Sequence, residues 1–277
     1  MPKVLSNEQI DYYHEYGFIP CVDVMSEEEA GRYKSRLEQA ERDHPSQINP
    51  GKRNNAHLCF TFLDEIVHHP TIVGAIEDLM GPEISLWASV LFVKEPSTSH
   101  FVSWHQDATY MGMSSNEFAT PWLALTPSNR ESGCMSMIPG SHKNQIYEHV
   151  DTYGEENILT RGQEVVGVNP ADAIDVVLRP GQMSIHHGQI VHASQANCSA
   201  HRRIGFAMQS YMPPHIMQVI GKNYWLDIQG KNARGPNSVS LNRPIGDASP
   251  ESVALREEVD ANLASILYKD AAEQRRY

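Results

Sequence analysis

Two His-x-Asp triplets, His105-Gln106-Asp107 and His149-Val150-Asp151, are the residues of this 277-residue chain whose types and spacing could grip a metal ion. On a strand, positions two apart share a face, so the nitrogen and the oxygen of such a triplet can reach one ion. A second histidine arriving from another strand would complete a two-histidine, one-carboxylate face with three adjacent positions open. That donor set suits non-haem Fe(II) oxygen chemistry. His192, in Gln189-Ile190-Val191-His192-Ala193-Ser194, qualifies, while His186 and His187 lie on the preceding segment. Eleven residues after His192, Arg203 opens an apolar run at 204–211. A guanidinium at the mouth of a barrel is suited to two-point pairing with a carboxylate. Arg202, beside it, would face the other way. Taken singly, each residue has an ordinary reading: a hydrogen-bonded pair, a core histidine, a surface cation. Their joint order in a strand-rich region is what points to a site. His149 and Asp151 lie in the charged stretch 143–156 and read as surface loop structure.

These side chains need strands to position them, and from residue 84 onward the chain has the pattern for strands. Short apolar or alternating runs occur at 84–93, 101–104, 121–126, 134–138, 165–168, 173–178, 183–187, 190–193 and 204–211, punctuated by Pro-Gly, Ser-Gly and Asn-Pro steps. Many short strands so spaced predict an all-β sandwich, jelly roll or barrel. The first eighty residues read as helical. Ser6 with Gln9 forms a capping box before a helix that Gly17 closes. Ser26, ahead of Glu27, Glu28 and Glu29, starts a second helix running to about Asp43. A third covers 71–80 and ends at Gly81-Pro82. After Pro213-Pro214 the tail reads as loop to about Ser249, which caps a last helix from Pro250 to about Tyr268. The expectation is one domain over 1–277, with a helical part at 1–82, a β core at 83–213 and a C-terminal loop and helix at 214–277.

Composition sets the boundaries. Thirty-four acidic against 22 basic residues give a net charge of -12, which repels phosphate backbones and anionic lipid, so neither nucleic acid nor membrane is the expected partner. The expected partner is a small molecule. Cys21, Cys59, Cys134 and Cys198 show no close pairing, which argues against a zinc knuckle or a dithiol redox site. The opening residues lack the apolar run of an export signal, and the cytoplasm is the expected location.

The motifs Trp104-His105-Gln106-Asp107, Ile138-Pro139-Gly140-Ser141-His142-Lys143, Arg179-Pro180-Gly181, and His186 through His192-Ala193-Ser194 to Asn197, Ser199 and Arg203 resemble, in order, those of the phytanoyl-CoA dioxygenase family. The resemblance spans about 6–212. It implies a double-stranded β-helix (jelly roll, cupin-like), mainly β with flanking helices, and Fe(II)- and 2-oxoglutarate-dependent oxygenase activity consuming dioxygen. It implies His105, Asp107 and His192 as iron ligands and Arg203 as the anchor for the far carboxylate of 2-oxoglutarate. Ser194, Gln106 and Trp122 fall where the family contacts the cosubstrate. Halogenating relatives carry a small residue in place of the triplet's acid; Asp107 is present, which favours hydroxylation of an unactivated C–H bond. Segments 108–119 and 142–161 are the expected lids, and 215–243 is expected to cover the mouth or form a homodimer contact.

For the substrate, Trp-His-Gln-Asp-Ala-Thr-Tyr followed by Trp-Leu-Ala-Leu resembles bacterial members acting on small polar metabolites. An organophosphonate such as 2-aminoethylphosphonate, hydroxylated next to phosphorus with Tyr110, Lys94 or Arg161 as donors, is one candidate. An amino acid or secondary metabolite is another. Two readings of other classes stand beside these: a cupin-like metal lyase or isomerase with His186 or His187 at the metal, and a non-catalytic jelly-roll binding protein.

Overall fold

The protein is described from a computed structural model covering residues 2–230, 234–235 and 237–272. Ser6 and Gln9 exchange the two hydrogen bonds of a capping box at the start of α1 (Asn7–Tyr16), and Gly17, at φ 85°, turns the chain out of it. The chain enters β1 (Phe18–Asp23) directly. Ser26 caps α2 (Glu27–Asp43), and α3 (Thr61–Val67) and α4 (Pro70–Met80) follow. Then come β2 (Ile84–Leu86), β3 (Val90–Lys94), β4 (Val102–His105), the single turn α5 (Ala108–Met111), β5 (Ala119–Ala124) and β6 (Met135–Met137). The next strands are β7 (His149–Asp151), β8 (Gln163–Val165), β9 (Ile174–Val176), β10 (Gln182–His187), β11 (His192–Ser194), β12 (Arg203–Ala207) and β13 (Tyr211–Met212). After β14 (Asn223–Gln229) and β15 (Ser238–Ser240), Ser249 caps α6 (Pro250–Leu267).

Among the described residues, nine strands form a major sheet in which β10, β12 and β13 all pair with β5, and β1 and β14 extend it at its flanks. A minor sheet runs β4-β11-β6-β9. The two face each other as the double-stranded β-helix expected for the family. Alternation along the central strands decides what faces inward. On β5, Ala119 and Leu123 pack under the helices with Phe62, Leu63 and Ile66 of α3. Trp122 and Ala124 point the other way, into the layer between the sheets with Met135, Met137 and Ala207. On β12, Ile204 and Phe206 join the helical side, so Arg203, Gly205 and Ala207 face the interior.

Several sequence expectations are corrected. Strands lie in both segments flanking 83–213: β1, within the part read as helical, pairs with β10, and β14, within the tail read as loop, pairs with β2. The run at 84–93 is two strands rather than one, and 204–211 likewise divides into β12 and β13. His149–Asp151 is a strand paired with β8, not a loop. No helix among the described residues is long and apolar enough to cross a membrane.

Candidate metal and cosubstrate site

His105 ends β4 and His192 begins β11, and the antiparallel register sets them directly opposite one another. Their rings lie 4.1 Å apart, centroid to centroid. Asp107 reaches them by a different route from the shared strand face expected of the triplet. Its backbone is helical (φ -56°, ψ -41°), because the chain has left β4 and begun α5. The turn swings the carboxylate back, with Oδ1 3.4 Å from His105 Nε2. One donor atom from each of His105, Asp107 and His192 lies within 4.8 Å of the others.

The protonation states suit a divalent cation. His105 Nδ1 is 2.9 Å from the Ser103 carbonyl and His192 Nδ1 is 3.1 Å from the Ile190 carbonyl. A carbonyl can only accept, so each Nδ1 carries the proton and each Nε2 keeps a lone pair for a metal. Burial and the neighbouring His105 ring hold His192 well below its ordinary 6.5, hence neutral. Burial alone would raise the Asp107 carboxyl, but the surrounding imidazoles of His105, His186 and His192 outweigh it and hold it well below 3.8, hence ionised. His186, on β10, places Nε2 3.4 Å from Asp107 Oδ2 and stands outside the three-donor set. His187 turns away to Glu117.

A cavity of about 60 Å³ opens on the cluster and is lined by Ser194, Trp122 and Arg203 among others. Arg203 is 1% exposed, and its guanidinium lies 4.3 Å from the Trp122 ring centre. Nε makes a long contact of 3.4 Å to Ser128 Oγ, and Nη2 has no partner. Burial pulls the group down to about 10, so it remains a cation, and no carboxylate of the described residues pairs with it. Leaving a buried charge unpaired costs several kcal/mol, so the cavity fits a ligand carboxylate. Arg202 is settled by the same alternation: it grips Glu41 of α2 at 2.9 Å through both terminal nitrogens, away from the cavity.

Sequence reasoning undervalued Lys94. It is fully buried at the end of β3, directly across the ladder from Arg203. Its Nζ donates to Ser194 Oγ at 2.7 Å, to the Ser194 carbonyl at 3.2 Å and to the Gln195 carbonyl. Burial and the Arg203 charge pull it down to about 6. Because Ser194 Oγ accepts from Lys94, the hydroxyl hydrogen is left for the cavity. A charged residue closing an apolar strand run was the available signal. Gln106 has a different part: its amide donates to the Gln189 carbonyl at 2.7 Å and accepts from the Tyr147 amide at 2.8 Å, stapling two loops. Asp151 is committed to Arg161, and His149 Nε2 accepts from the Gln106 amide, so the second triplet is structural.

A second cavity of about 120 Å³ shares Phe92, His105, Asp107, Leu159 and Gln209 with the first. Tyr110 and Met111 of the 108–119 segment and 158–160 of the 142–161 segment wall it. No described residue of the 215–243 stretch does; Gln218 braces the 108–119 segment from behind, donating to the Met111 carbonyl at 2.6 Å, and α6 covers the cavity through Leu263 and Leu267.

A double-stranded β-helix with two histidines and a carboxylate at one end defines a non-haem metal oxygenase class. The phytanoyl-CoA dioxygenase (PhyH) family model matches residues 13–205. The chain is 28% identical over 68% of its length to a probable alpha-ketoglutarate-dependent hypophosphite dioxygenase of Stutzerimonas stutzeri, covering 67% of that protein. It is 24% identical over 71% of its length to the peroxisomal phytanoyl-CoA dioxygenase of Bos taurus, covering 66% of it. The chain thus spans about two thirds of the length of these two relatives. Among solved structures, the apo non-heme monooxygenase ThoJ superposes with a TM-score of 0.84 at 26% identity, over 94% of this chain and 98% of that one. The chain belongs to the phytanoyl-CoA dioxygenase family, and its cofactors are those of the family: Fe(II), 2-oxoglutarate and dioxygen.

Proposed function

We propose that this protein hydroxylates an unactivated C–H bond of a small molecule. In this reading His105, Asp107 and His192 hold the iron, and Arg203, assisted by Ser194 and stacked on Trp122, takes the far carboxylate of 2-oxoglutarate. The observation that carries it is a buried guanidinium with an unpartnered Nη2, in a cavity whose other end is the three-donor cluster. When bound, iron with 2-oxoglutarate and dioxygen supplies the oxidation: one oxygen atom enters the substrate, the other succinate, and carbon dioxide leaves. The chain's own residues fix the geometry. The Ser103 and Ile190 carbonyls orient the two imidazoles, His186 steadies Asp107, and Gln106 ties the 147 and 189 loops over the site to keep water out.

An organophosphonate such as 2-aminoethylphosphonate is a second reading, favoured by the hypophosphite dioxygenase relative. It needs cationic or neutral hydrogen-bond donors at the substrate. Of the three expected, Tyr110 alone lines the larger cavity; Lys94 holds Ser194 and Arg161 is paired with Asp151.

The test is anaerobic titration of the apoprotein with Fe(II) and then 2-oxoglutarate, following the visible charge-transfer band of the chelate. The band is expected in wild type, lost in His105→Ala and weakened in Arg203→Ala, with succinate released on admitting oxygen and substrate. No band in iron-loaded wild type would refute the assignment and favour the lyase or binding-protein readings.

A further inference from the structure

The larger cavity carries information about the substrate, resting on the reading just given. Its apolar walls include Trp87, Phe92, Met111, Leu159, Leu263 and Leu267. Beyond His105 and Asp107, the polar groups on it are hydroxyls and amides such as Gln163 and Gln209, and no lysine or arginine among the described residues lines it. Arg161, stacked 4.9 Å from the Tyr110 ring centre, is neutralised by Asp151.

The loaded site offers an anion little compensation. Asp107 (-1), Fe(II) (+2), 2-oxoglutarate (-2) and Arg203 (+1) sum to zero, and Lys94 faces the cosubstrate end through Ser194. Burying an anionic headgroup against such walls costs several kcal/mol, whereas burying hydrocarbon gains about 25 cal/mol per Å². Size bears on the question as well. An engineered apolar cavity of about 150 Å³ in another protein takes benzene; 120 Å³ therefore accepts a body of about five or six carbons. Gln209, Leu263 and Leu267 lie beyond residue 205, where the family match ends, so part of this wall is set outside the shared segment.

We propose that the substrate presents to the iron an uncharged, compact hydrocarbon body carrying a hydrogen-bonding group such as a hydroxyl or carboxamide, and that Leu263 and Leu267 of α6 select it. The side-chain amide of Gln209, at the junction of the two cavities, meets that polar group, and α6 excludes charged headgroups.

Matched probes test this: cyclopentanecarboxamide, cyclopentanecarboxylate and 2-aminoethylphosphonate are titrated into the anaerobic Fe(II)·2-oxoglutarate complex, reading perturbation of its absorption band. Equilibrium dialysis of the same probes against the metal-free protein gives a second readout. The amide is expected to act at concentrations at least tenfold below either anion. Leu267→Lys, at a half-buried position, narrows or reverses that ratio with the band forming at unchanged 2-oxoglutarate concentration. An anion binding as tightly as the amide, or no binding of the amide, overturns the proposal. Failure of the band itself would instead sink the cofactor reading, so the two failures are distinguishable.

Discussion

Gly205→Ala perturbs the cosubstrate end of the cavity from a residue that contacts neither metal nor ligand. Gly205 lies on β12, two residues from Arg203 and on the same inward face. A methyl built there would sit 1.7 Å from Cζ2, 2.2 Å from Cη2 and 2.3 Å from Cε2 of Trp122. These are rigid ring atoms of a side chain that is 2% exposed, so the indole must move by more than 1 Å or the strands must part. Overpacking of this kind costs about 1–3 kcal/mol, and at this size each kcal/mol lowers Tm by roughly 2–4 °C. The displaced indole also leaves the Arg203 guanidinium, a desolvated stacking worth about 2 kcal/mol. Converted at 1.4 kcal/mol per factor of ten, that weakens 2-oxoglutarate binding roughly tenfold to thirtyfold. Differential scanning calorimetry gives the first quantity, and titration of the anaerobic charge-transfer band gives the second. Iron affinity is expected to stay at the wild-type value, since His105, Asp107 and His192 are untouched. A variant with wild-type Tm and wild-type 2-oxoglutarate affinity would refute the packing argument and the role given to Trp122.

Arg202→Ala removes the grip on Glu41 and Glu95 but nothing facing the cavity; a loss of about 1 kcal/mol in urea unfolding is expected, with 2-oxoglutarate affinity within twofold of wild type, the opposite of Arg203→Ala. Lys94→Met keeps the volume but frees the Ser194 hydroxyl to rotate. A hydrogen bond to a charged ligand is worth about 1.5–3 kcal/mol, so KM for 2-oxoglutarate is expected to rise tenfold or more in steady-state assays, with kcat changed far less. His57 is buried, its Nδ1 2.6 Å from Ser89 Oγ, and burial holds it down at about 3 against 6.5 in the unfolded chain. The unfolded state alone takes up this proton between those values, so the contribution is complete above pH 6.5 and lost as pH falls toward 3. Between pH 7 and pH 5 the loss is about 2 kcal/mol. His57→Gln is expected to flatten the acid limb of unfolding free energy against pH by that amount, and an unchanged limb would contradict the burial argument.

Most of the site was legible in the sequence, though not always for the right geometric reason. His105, Asp107 and His192 meet as the triplet suggested, yet Asp107 arrives through a helical turn rather than along a strand face. Spacing in sequence constrains which side chains can meet, not the backbone path that brings them there. Arg203 and Arg202 were separable only by strand register, since a one-residue slip exchanges inward and outward faces. β1 escaped notice because Pro20 interrupts its pattern. The strand tolerates a missing amide donor because it lies at the sheet's flank, with its register shifting between Ile19 and Val22. β14 was hidden because Asn223 to Leu226 are all buried, so no alternation marks the strand. Lys94 was visible as a residue but not as a partner, because the contacts that define it come from β11 and β12, a hundred residues downstream. Leu263 and Leu267 could not be assigned to the cavity for the same reason: helical periodicity marks a buried face without saying what lies beneath it.

The direct opposition of His105 and His192 has a consequence for biosynthesis. The two are separated by 87 positions of chain, and at about 5–20 residues per second roughly 4–17 s pass between their syntheses. During that interval the nascent chain carries only two of the three donors, and β1 is still waiting for β10. The complete three-donor set therefore exists only once β11 has docked against β4. From then on the metal is a ligand of the folded state alone, stabilising it by mass action. In an iron-poor cell the apoprotein would open more often and be degraded sooner, so metal supply would set how much of this protein accumulates as well as how fast it works.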